Sequence, residues 1–312
     1  MRSDTLLSVR DLRVGFDGVD VVRGLSFDVL AGEVLALVGE SGAGKSLTAR
    51  ALLGMVPRGA TVSGRVLLNG SPITPADWGR RVALVPQDAL SALSPVHRVG
   101  DQLALALRSV RGLTGKDARR RAEAALEEVG IPAVKARAFP HEFSGGMRQR
   151  AVLAMALVNG PDLVVADEPT TALDPETQET VLALLRERCS ATGASLVLVT
   201  HALDVVRAHA DRMAVVYAGA LAEYGPVERV LARPLAPYTA GLLASLPSGD
   251  AVPRTRLSVL AGRPPAPGEP AAGCAFAPRC VHATDRCHAE RPAPRPLAGR
   301  TVACHHAVLE TV

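Results

Sequence analysis

The chain has 312 residues, of which 48% are hydrophobic and 21% charged, and it carries a formal net charge of +4 with a pI near 9.0. This length is sufficient for a full α/β core and a second small module. The sequence contains no apolar run of the roughly 18 to 20 residues that a membrane-spanning helix needs, and no signal-peptide block. Scattered basic residues and an aromatic content of only 3% argue against a nucleic-acid partner. We therefore expect a protein that stays in the cytosol.

The first 38 residues alternate between apolar and polar side chains and are punctuated by glycines, which predicts strands. The predicted strands are Leu6–Val14, Leu25–Val29 and Val34–Val38. The third is a continuous apolar run, as in a strand buried on both faces. It leads directly into Gly-Glu-Ser-Gly-Ala-Gly-Lys-Ser at residues 39–46, followed by a predicted helix from Lys45 to Leu53. This strand–loop–helix context distinguishes a nucleotide site from a chance match.

The loop has the complete pattern G-x-x-x-x-G-K-[ST] of a phosphate-binding loop. Its glycines allow backbone N–H groups to surround phosphate oxygens at the start of a helix. Lys45 is one of only 3 lysines among 35 basic residues, and it supplies a point charge to the outer phosphates. The Ser46 hydroxyl is suited to ligate Mg²⁺. The residues predicted to bind the nucleotide here are Gly39, Ser41, Gly42, Gly44, Lys45, Ser46 and Leu47.

Further along, strands are predicted at residues 62–70 and 80–86, and helices dominate from about 100 to 160. Ala118, Ala122, Ala125, Leu126 and Val129 form one apolar helical stripe. Strands follow at 163–166, 195–200 and 213–217. Strands that alternate with helices predict a mostly parallel sheet covered on both faces.

Two polar motifs lie within this part of the chain. Asp167 and Glu168 end an apolar strand, as expected of a carboxylate that positions Mg²⁺ followed by a base that polarises water. Ser144, Gly145 and Gly146 begin an apolar helix and offer an anion-binding helix start. Either motif alone is equally consistent with an ordinary strand end or helix cap. Because both follow a phosphate loop in the chain, we interpret them as parts of the same nucleotide site.

Five segments together resemble the ATPase subunits of ABC transporters, in the family's order and at compatible spacing. They are Gly39–Ser46, Ser144–Gln149, Leu163–Glu168, Thr171–Asp174 and Val199–His201. The resemblance covers residues 5–245 and implies an α/β fold: a RecA-like P-loop ATPase core, an antiparallel β subdomain, and a helical subdomain at about 95–160.

The resemblance also implies roles for individual residues. Lys45, Glu168 and His201 are implied to be catalytic, with His201 at the γ-phosphate, while Phe16 stacks on adenine. The residues implied to hold Mg²⁺ are Ser46, Gln87 and Asp167.

The signature residues Ser144, Gly145 and Gly146 act on ATP held by a second subunit in this family. Asp174 is implied to lie on the loop that crosses between the subunits. A single copy therefore does not build a complete site, and dimerisation follows from the resemblance.

Residues 86–102, Met147 and residues 237–243 resemble the branch that energises dipeptide and oligopeptide importers and related nickel importers. This implies that the chain works with two transmembrane permease subunits and an extracytoplasmic solute-binding protein. It also implies a second ABC ATPase subunit, and in this branch a heterodimer of two different ATPases is favoured. It also implies a peripheral location on the cytoplasmic face of the membrane. The alternatives are a nickel or other small-solute importer and a soluble ABC ATPase without a transport role.

Residues 246–312 differ in composition and are predicted to be a Pro-rich linker plus a small Cys-rich module that does not continue the sheet. Cys274, Cys280, Cys287 and Cys304 lie here, whereas Cys189 is expected to be a small packed residue. Four clustered cysteines in a cytosolic chain favour a metal over disulfides. Their spacing matches neither that of zinc ribbons nor that of ferredoxins, so the spacing does not identify the metal. Resemblance to the C-terminal extension of peptide-importer ATPases favours a four-iron–four-sulfur (4Fe–4S) cluster, with zinc or no metal as the alternatives.

Overall fold

The computed structural model describes residues 5–171, 173–245, 260–266, 269 and 272–307. The strands in these residues are β1 Thr5–Phe16, β2 Val19–Leu30, β3 Val34–Val38, β4 Ala60–Leu68, β5 Ser71–Pro72, β6 Val82–Val85, β7 Leu163–Asp167, β8 Ser195–Thr200, β9 Arg212–Tyr217, β10 Ala220–Pro226, β11 Arg295–Leu297 and β12 Arg300–Val302. The α-helices are α1 Lys45–Leu52, α2 Ala89–Ala92, α3 Val99–Arg111, α4 Gly115–Glu127, α5 Gly145–Leu157, α6 Pro175–Thr192, α7 Leu203–His209, α8 Val227–Ala232, α9 Pro237–Ala244 and α10 Asp285–Ala289. None of these helices is both long and apolar enough to cross a bilayer.

The chain divides into two compact units, each assembled from several segments. The first unit consists of Met1–Leu6, Val29–Val34 and Ile73–Val199. The second unit consists of Leu7–Asp28, Leu35–Pro72 and Thr200–Val312.

The first unit contains three parallel strands and most of the long helices. Strand β7 pairs in parallel with both β6 and β8, and all five of its residues are buried. Helices α3, α4 and α5 pack against one another. The stripe predicted on α4 is buried, with Ala118 and Leu126 fully inaccessible to solvent. The predicted parallel strands and helical segment are therefore confirmed.

The second unit contains two sheets. In the larger one, the fully buried strand β3 pairs in parallel with β9, and β9 pairs antiparallel with β10. The other sheet has the order β2-β1-β4-β5, in which β1 and β4 as well as β4 and β5 are antiparallel. This sheet matches the antiparallel β subdomain that the resemblance implied.

The expectation that the Cys-rich module does not continue the sheet is wrong. Strand β12 pairs antiparallel with β10, and β11 pairs antiparallel with β12. No sequence pattern predicted this pairing, because each added strand has three residues, too few for an alternating pattern to be visible. Residues 246–259, at the start of the predicted linker and Cys-rich module, lie outside the described residues.

A buried ion pair ties this added hairpin to the unit. The side chains of Arg300 and Glu223 are 5% and 0% exposed, and Arg300 Nη1 donates to Glu223 Oε1 at 3.0 Å. The same nitrogen donates to the carbonyls of Arg229 and Arg233. The Glu223 carboxylate also accepts the N–H groups of Leu235 and Ala236. Burial nevertheless raises the pKa of Glu223, because desolvation outweighs these hydrogen bonds.

Candidate functional site

The predicted phosphate loop lies between β3 and α1 in the second unit. Gly39, Gly42 and Gly44 have φ values of 155°, 79° and 91°. A Cβ atom at Gly39 would lie only 2.1 Å from the Val216 carbonyl oxygen. Glycine is required here both for backbone conformation and for close approach to β9. The strand–loop–helix arrangement expected from the sequence is thus confirmed.

The side chain of Lys45 lies along this loop. Its Nζ donates to the carbonyl oxygens of Gly39 at 2.8 Å and Glu40 at 3.0 Å, and the residue is 6% exposed. The ammonium group is therefore held at the loop that the glycines shape. Ser46 and Leu47 are half-buried in the first turn of α1, whereas Ser41 and Gly42 are exposed. Phe16 ends β1 opposite Ala60 and is half-buried.

The two predicted carboxylates lie at the end of β7 in the first unit. Asp167 is 4% exposed. Glu168 adopts φ 46°, a left-handed conformation that is strained for a non-glycine residue and that often occurs at functional sites. Gln87 Nε2 lies 3.5 Å from Glu168 Oε2, so two residues singled out in separate motifs are neighbours.

Thr171 holds Glu168 and was missed by the sequence analysis as a site residue. Its Oγ1 donates to Glu168 Oε2 at 3.0 Å, and the Glu168 N–H donates to the Val199 carbonyl at 3.0 Å. A threonine three residues after an acid is too common a pattern to have indicated this contact. The arrangement fixes both the backbone and the carboxylate of Glu168.

The signature segment and Asp174 begin two helices of the first unit that pack together, α5 and α6. Ser144 Oγ accepts the Met147 N–H at 3.3 Å, which caps α5. Asp174 accepts the Thr177 N–H at 3.0 Å, which caps α6 and lowers the pKa of the Asp174 carboxyl. A Cβ atom at Gly146 would lie 2.8 Å from Thr177 Cγ2. Gly146 is therefore needed for the close packing of these two helix starts.

His201 follows β8 directly and is exposed. Within the first unit, the structure thus brings Gln87, which follows β6, beside Glu168, which follows Asp167 at the end of the neighbouring strand β7. It brings the phosphate-loop residues together within the second unit.

Known proteins with similar sequences belong to one family of transport ATPases. The family model "ABC transporter" matches residues 22–171. The dipeptide transport ATP-binding protein DppD of Bacillus subtilis is 41% identical over 89% of this chain and 87% of its own length. The oligopeptide transport ATP-binding protein OppD of Escherichia coli K12 is 39% identical over 99% of this chain and 95% of its own length. The chain belongs to the ABC transporter family.

Within the ABC transporter family, the chain falls in the branch of dipeptide and oligopeptide transport ATP-binding proteins. A second family model, "Oligopeptide/dipeptide transporter, C-terminal region", matches residues 222–287. OppD of Mycobacterium tuberculosis is 46% identical over 92% of this chain but only 49% of its own length. The chain therefore spans about half the length of the mycobacterial relatives it matches.

Solved ABC proteins have the same fold. CbiO1 from Clostridium perfringens, part of the ABC transporter complex cbiONQ, matches with a TM-score of 0.65 and 27% identity over 74% of this chain and 92% of that one. An ATP-binding subunit of an ABC transporter matches with a TM-score of 0.62 and 30% identity over 72% of this chain and 92% of that one. The expected RecA-like P-loop fold is confirmed.

The four C-terminal cysteines of this ABC protein line one cavity in the second unit, and three of them lie within the matched C-terminal region. The cavity is lined by Cys274, Cys280, Cys287 and Cys304 together with His305 and His306. Burial raises the pKa of the thiols of Cys274 and Cys280. Among the described residues, however, no three Cys, His, Asp or Glu side chains are arranged to hold a metal ion. Cys189 is buried on α6, as expected, and burial raises the pKa of its thiol to about 12.

Proposed function

We propose that this chain is the ATP-hydrolysing subunit of a peptide-type ABC importer. The ATP-binding part of this proposal rests on one observation. Three glycines with positive φ form a loop, and the carbonyls of Gly39 and Glu40 in this loop hold the Lys45 ammonium. Such a loop at a helix start is built to bind phosphate groups. The match of residues 222–287 to the oligopeptide/dipeptide C-terminal region supports the peptide part.

In this proposal Lys45 binds the outer phosphates and Glu168 orients and polarises the attacking water. Its fixed backbone and its hydrogen bond from Thr171 support that role, because a base must be held in one geometry. His201 contacts the γ-phosphate and Phe16 stacks on adenine. The residues proposed to hold Mg²⁺, which neutralises phosphate charge during transfer, are Ser46, Gln87 and Asp167.

A second ATPase subunit is proposed to complete the site. Ser144, Gly145 and Gly146 would act on ATP bound to that subunit, with Asp174 at the crossing between the two. The start of α5 supports a recognition role, because the first backbone N–H groups of a helix point outward along its axis and have no partner within the helix.

The proposal includes a location at the cytoplasmic face of the membrane, bound to two transmembrane permease subunits, with an extracytoplasmic solute-binding protein delivering the substrate. The relatives named as dipeptide and oligopeptide transport proteins support a peptide substrate over nickel or another small solute. They also favour a transporter over an ABC ATPase without a transport role.

We expect the chain, assembled with its membrane partners, to release phosphate from Mg-ATP. K45A should weaken ATP binding about ten- to a hundredfold, because charge-assisted hydrogen bonds contribute about 1.5 to 3 kcal/mol. Calorimetric titration with Mg-ATP measures this change. The matched control is K116A, an exposed lysine on α4. Absence of hydrolysis in the assembled transporter would contradict the proposal.

A 4Fe–4S cluster at the four cysteines is the second part of the proposal. The donor set fits, since four thiols line a single cavity. A cluster binds its cysteines at separate corners, so it does not need them to converge on one point as a single ion does. Such a cluster would cross-link the segments that carry the cysteines. Zinc remains the alternative, because four thiolates also suit that ion.

We expect about four iron atoms and four acid-labile sulfides per chain in protein purified without oxygen. C280S should lower both values sharply and remove the visible charge-transfer band, because one ligand is lost. C189A is the matched control and should leave them unchanged, since Cys189 lies in α6 of the other unit. Zinc without sulfide would support the alternative, and protein without any metal would contradict both.

A further inference from the structure

A charged residue of the Cys-rich module contacts the phosphate loop. Glu40 is the second residue of that loop, and Arg279 ends the short 3₁₀ helix Ala277–Arg279 directly before Cys280. Arg279 Nη1 donates to Glu40 Oε2 at 2.7 Å and Nη2 donates to Oε1 at 2.9 Å. The Arg279 side chain is 5% exposed and that of Glu40 is 23% exposed. This is a bidentate and largely buried ion pair, the geometry in which an arginine–carboxylate contact is strongest.

Further contacts fix both members of the pair. Arg279 Nη1 also donates to Tyr217 Oη at 3.1 Å, and Nε donates to the Ala261 carbonyl at 2.8 Å. The Glu40 N–H donates to Tyr238 Oη at 3.0 Å. The rings of Tyr217, Tyr238 and Phe276 pack with centroids 4.5 to 5.4 Å apart. Glu40 is thus held through its backbone by Tyr238, 198 positions later in the chain, and through its side chain by Arg279, 239 positions later.

The contact continues to the residue that binds phosphate. The Glu40 carbonyl oxygen accepts a hydrogen bond from Lys45 Nζ at 3.0 Å. A displaced Glu40 would therefore move one of the two loop carbonyls that hold the Lys45 ammonium. A carboxylate beside an anion-binding loop also repels phosphate unless a cation neutralises it.

We propose that Arg279 is a positioning residue of the phosphate loop: it neutralises Glu40 and holds the loop in the conformation that presents Lys45. The C-terminal module thereby supports nucleotide binding directly. The inference rests on the proposed nucleotide-binding function, and it assigns a role to a residue outside every nucleotide motif of the chain.

The first test needs no nucleotide. Amide hydrogen exchange, followed by mass spectrometry, should be at least about threefold faster across residues 39–46 in R279A than in the wild type, because the loop loses its support. R286A is the matched control. Arg286 lies in the same module, but its ion pair with Glu290 is exposed. The control should exchange in this loop at the wild-type rate.

The second test measures nucleotide affinity. R279A should raise the Kd for ADP about tenfold and the KM for ATP by a similar factor, with kcat at saturating ATP changed less than about twofold. R279K should restore part of the affinity, because lysine keeps the charge but not the bidentate geometry. A general loss of structure would not be rescued in this way and would lower kcat as well.

Wild-type exchange in residues 39–46 together with a wild-type Kd in R279A would overturn the inference. If R279A does not fold, the same exchange and affinity measurements are made on R279K and Y238F instead. Y238F removes only the hydroxyl that accepts the Glu40 N–H, and it should speed exchange in the same loop. Wild-type protein that binds ATP without hydrolysing it would remove the proposed function, while the exchange and affinity comparisons would still decide the role of Arg279.

Discussion

Replacing Glu168 with glutamine should lower ATP hydrolysis by about 10²- to 10⁴-fold, the usual contribution of a general base. The amide has the shape of the carboxylate but cannot take a proton from water. It still accepts the hydrogen bond from Thr171 Oγ1, and the backbone contact of Glu168 with Val199 is unchanged. The variant should therefore fold normally. ATP binding should persist, because the phosphate loop is untouched.

Phosphate release and equilibrium binding of Mg-ATP, measured on the same preparation, separate turnover from binding. E187Q is the matched control, since Glu187 is exposed on α6. If E168Q hydrolyses ATP at the wild-type rate, Glu168 is not the base. If neither the wild type nor E168Q hydrolyses the ATP that it binds, the chain fits better a regulatory protein that binds nucleotide without turnover.

Replacing Arg300 with methionine should reduce the free energy of unfolding by about 3 to 5 kcal/mol. The change leaves the Glu223 carboxylate, which is 0% exposed, without its cationic partner. It also removes the donor to the carbonyls of Arg229 and Arg233. Denaturant unfolding of the full chain measures the loss. The matched control is R286A, which breaks an exposed pair and should leave the unfolding midpoint unchanged.

Two further results test the cause of this destabilisation. The double variant R300M/E223Q should recover part of the stability, because a neutral amide replaces the uncompensated charge and its oxygen still accepts the Leu235 and Ala236 N–H groups. The loss in R300M should also shrink at acidic pH. Burial raises the pKa of Glu223, so its contribution to stability is present at low pH and declines as pH rises through the folded-state pKa. A loss independent of pH would indicate missing packing instead.

Local patterns predicted the nucleotide motifs because each depends on neighbours in the chain. The buried run Val34–Val38, the glycines after it and Lys45 specify a strand, a turn and a helix start without distant partners. Ser144 and Asp174 cap their helices through N–H groups three residues away. The sequence also grouped four cysteines, but only the fold shows that they line one cavity.

The sequence by itself therefore determined the family, the order of the strands and helices around the motifs, and the residues that the motifs contain. The tertiary structure alone decided that β12 extends the sheet beside β10 and that Thr171 holds Glu168. It also decided that Arg279 lies against Glu40, 239 positions away. The physical reason is the distance along the chain over which each interaction acts. Capping, turn geometry and burial periodicity act over a few residues, whereas ion pairs and short added strands depend on register and packing that no local pattern encodes.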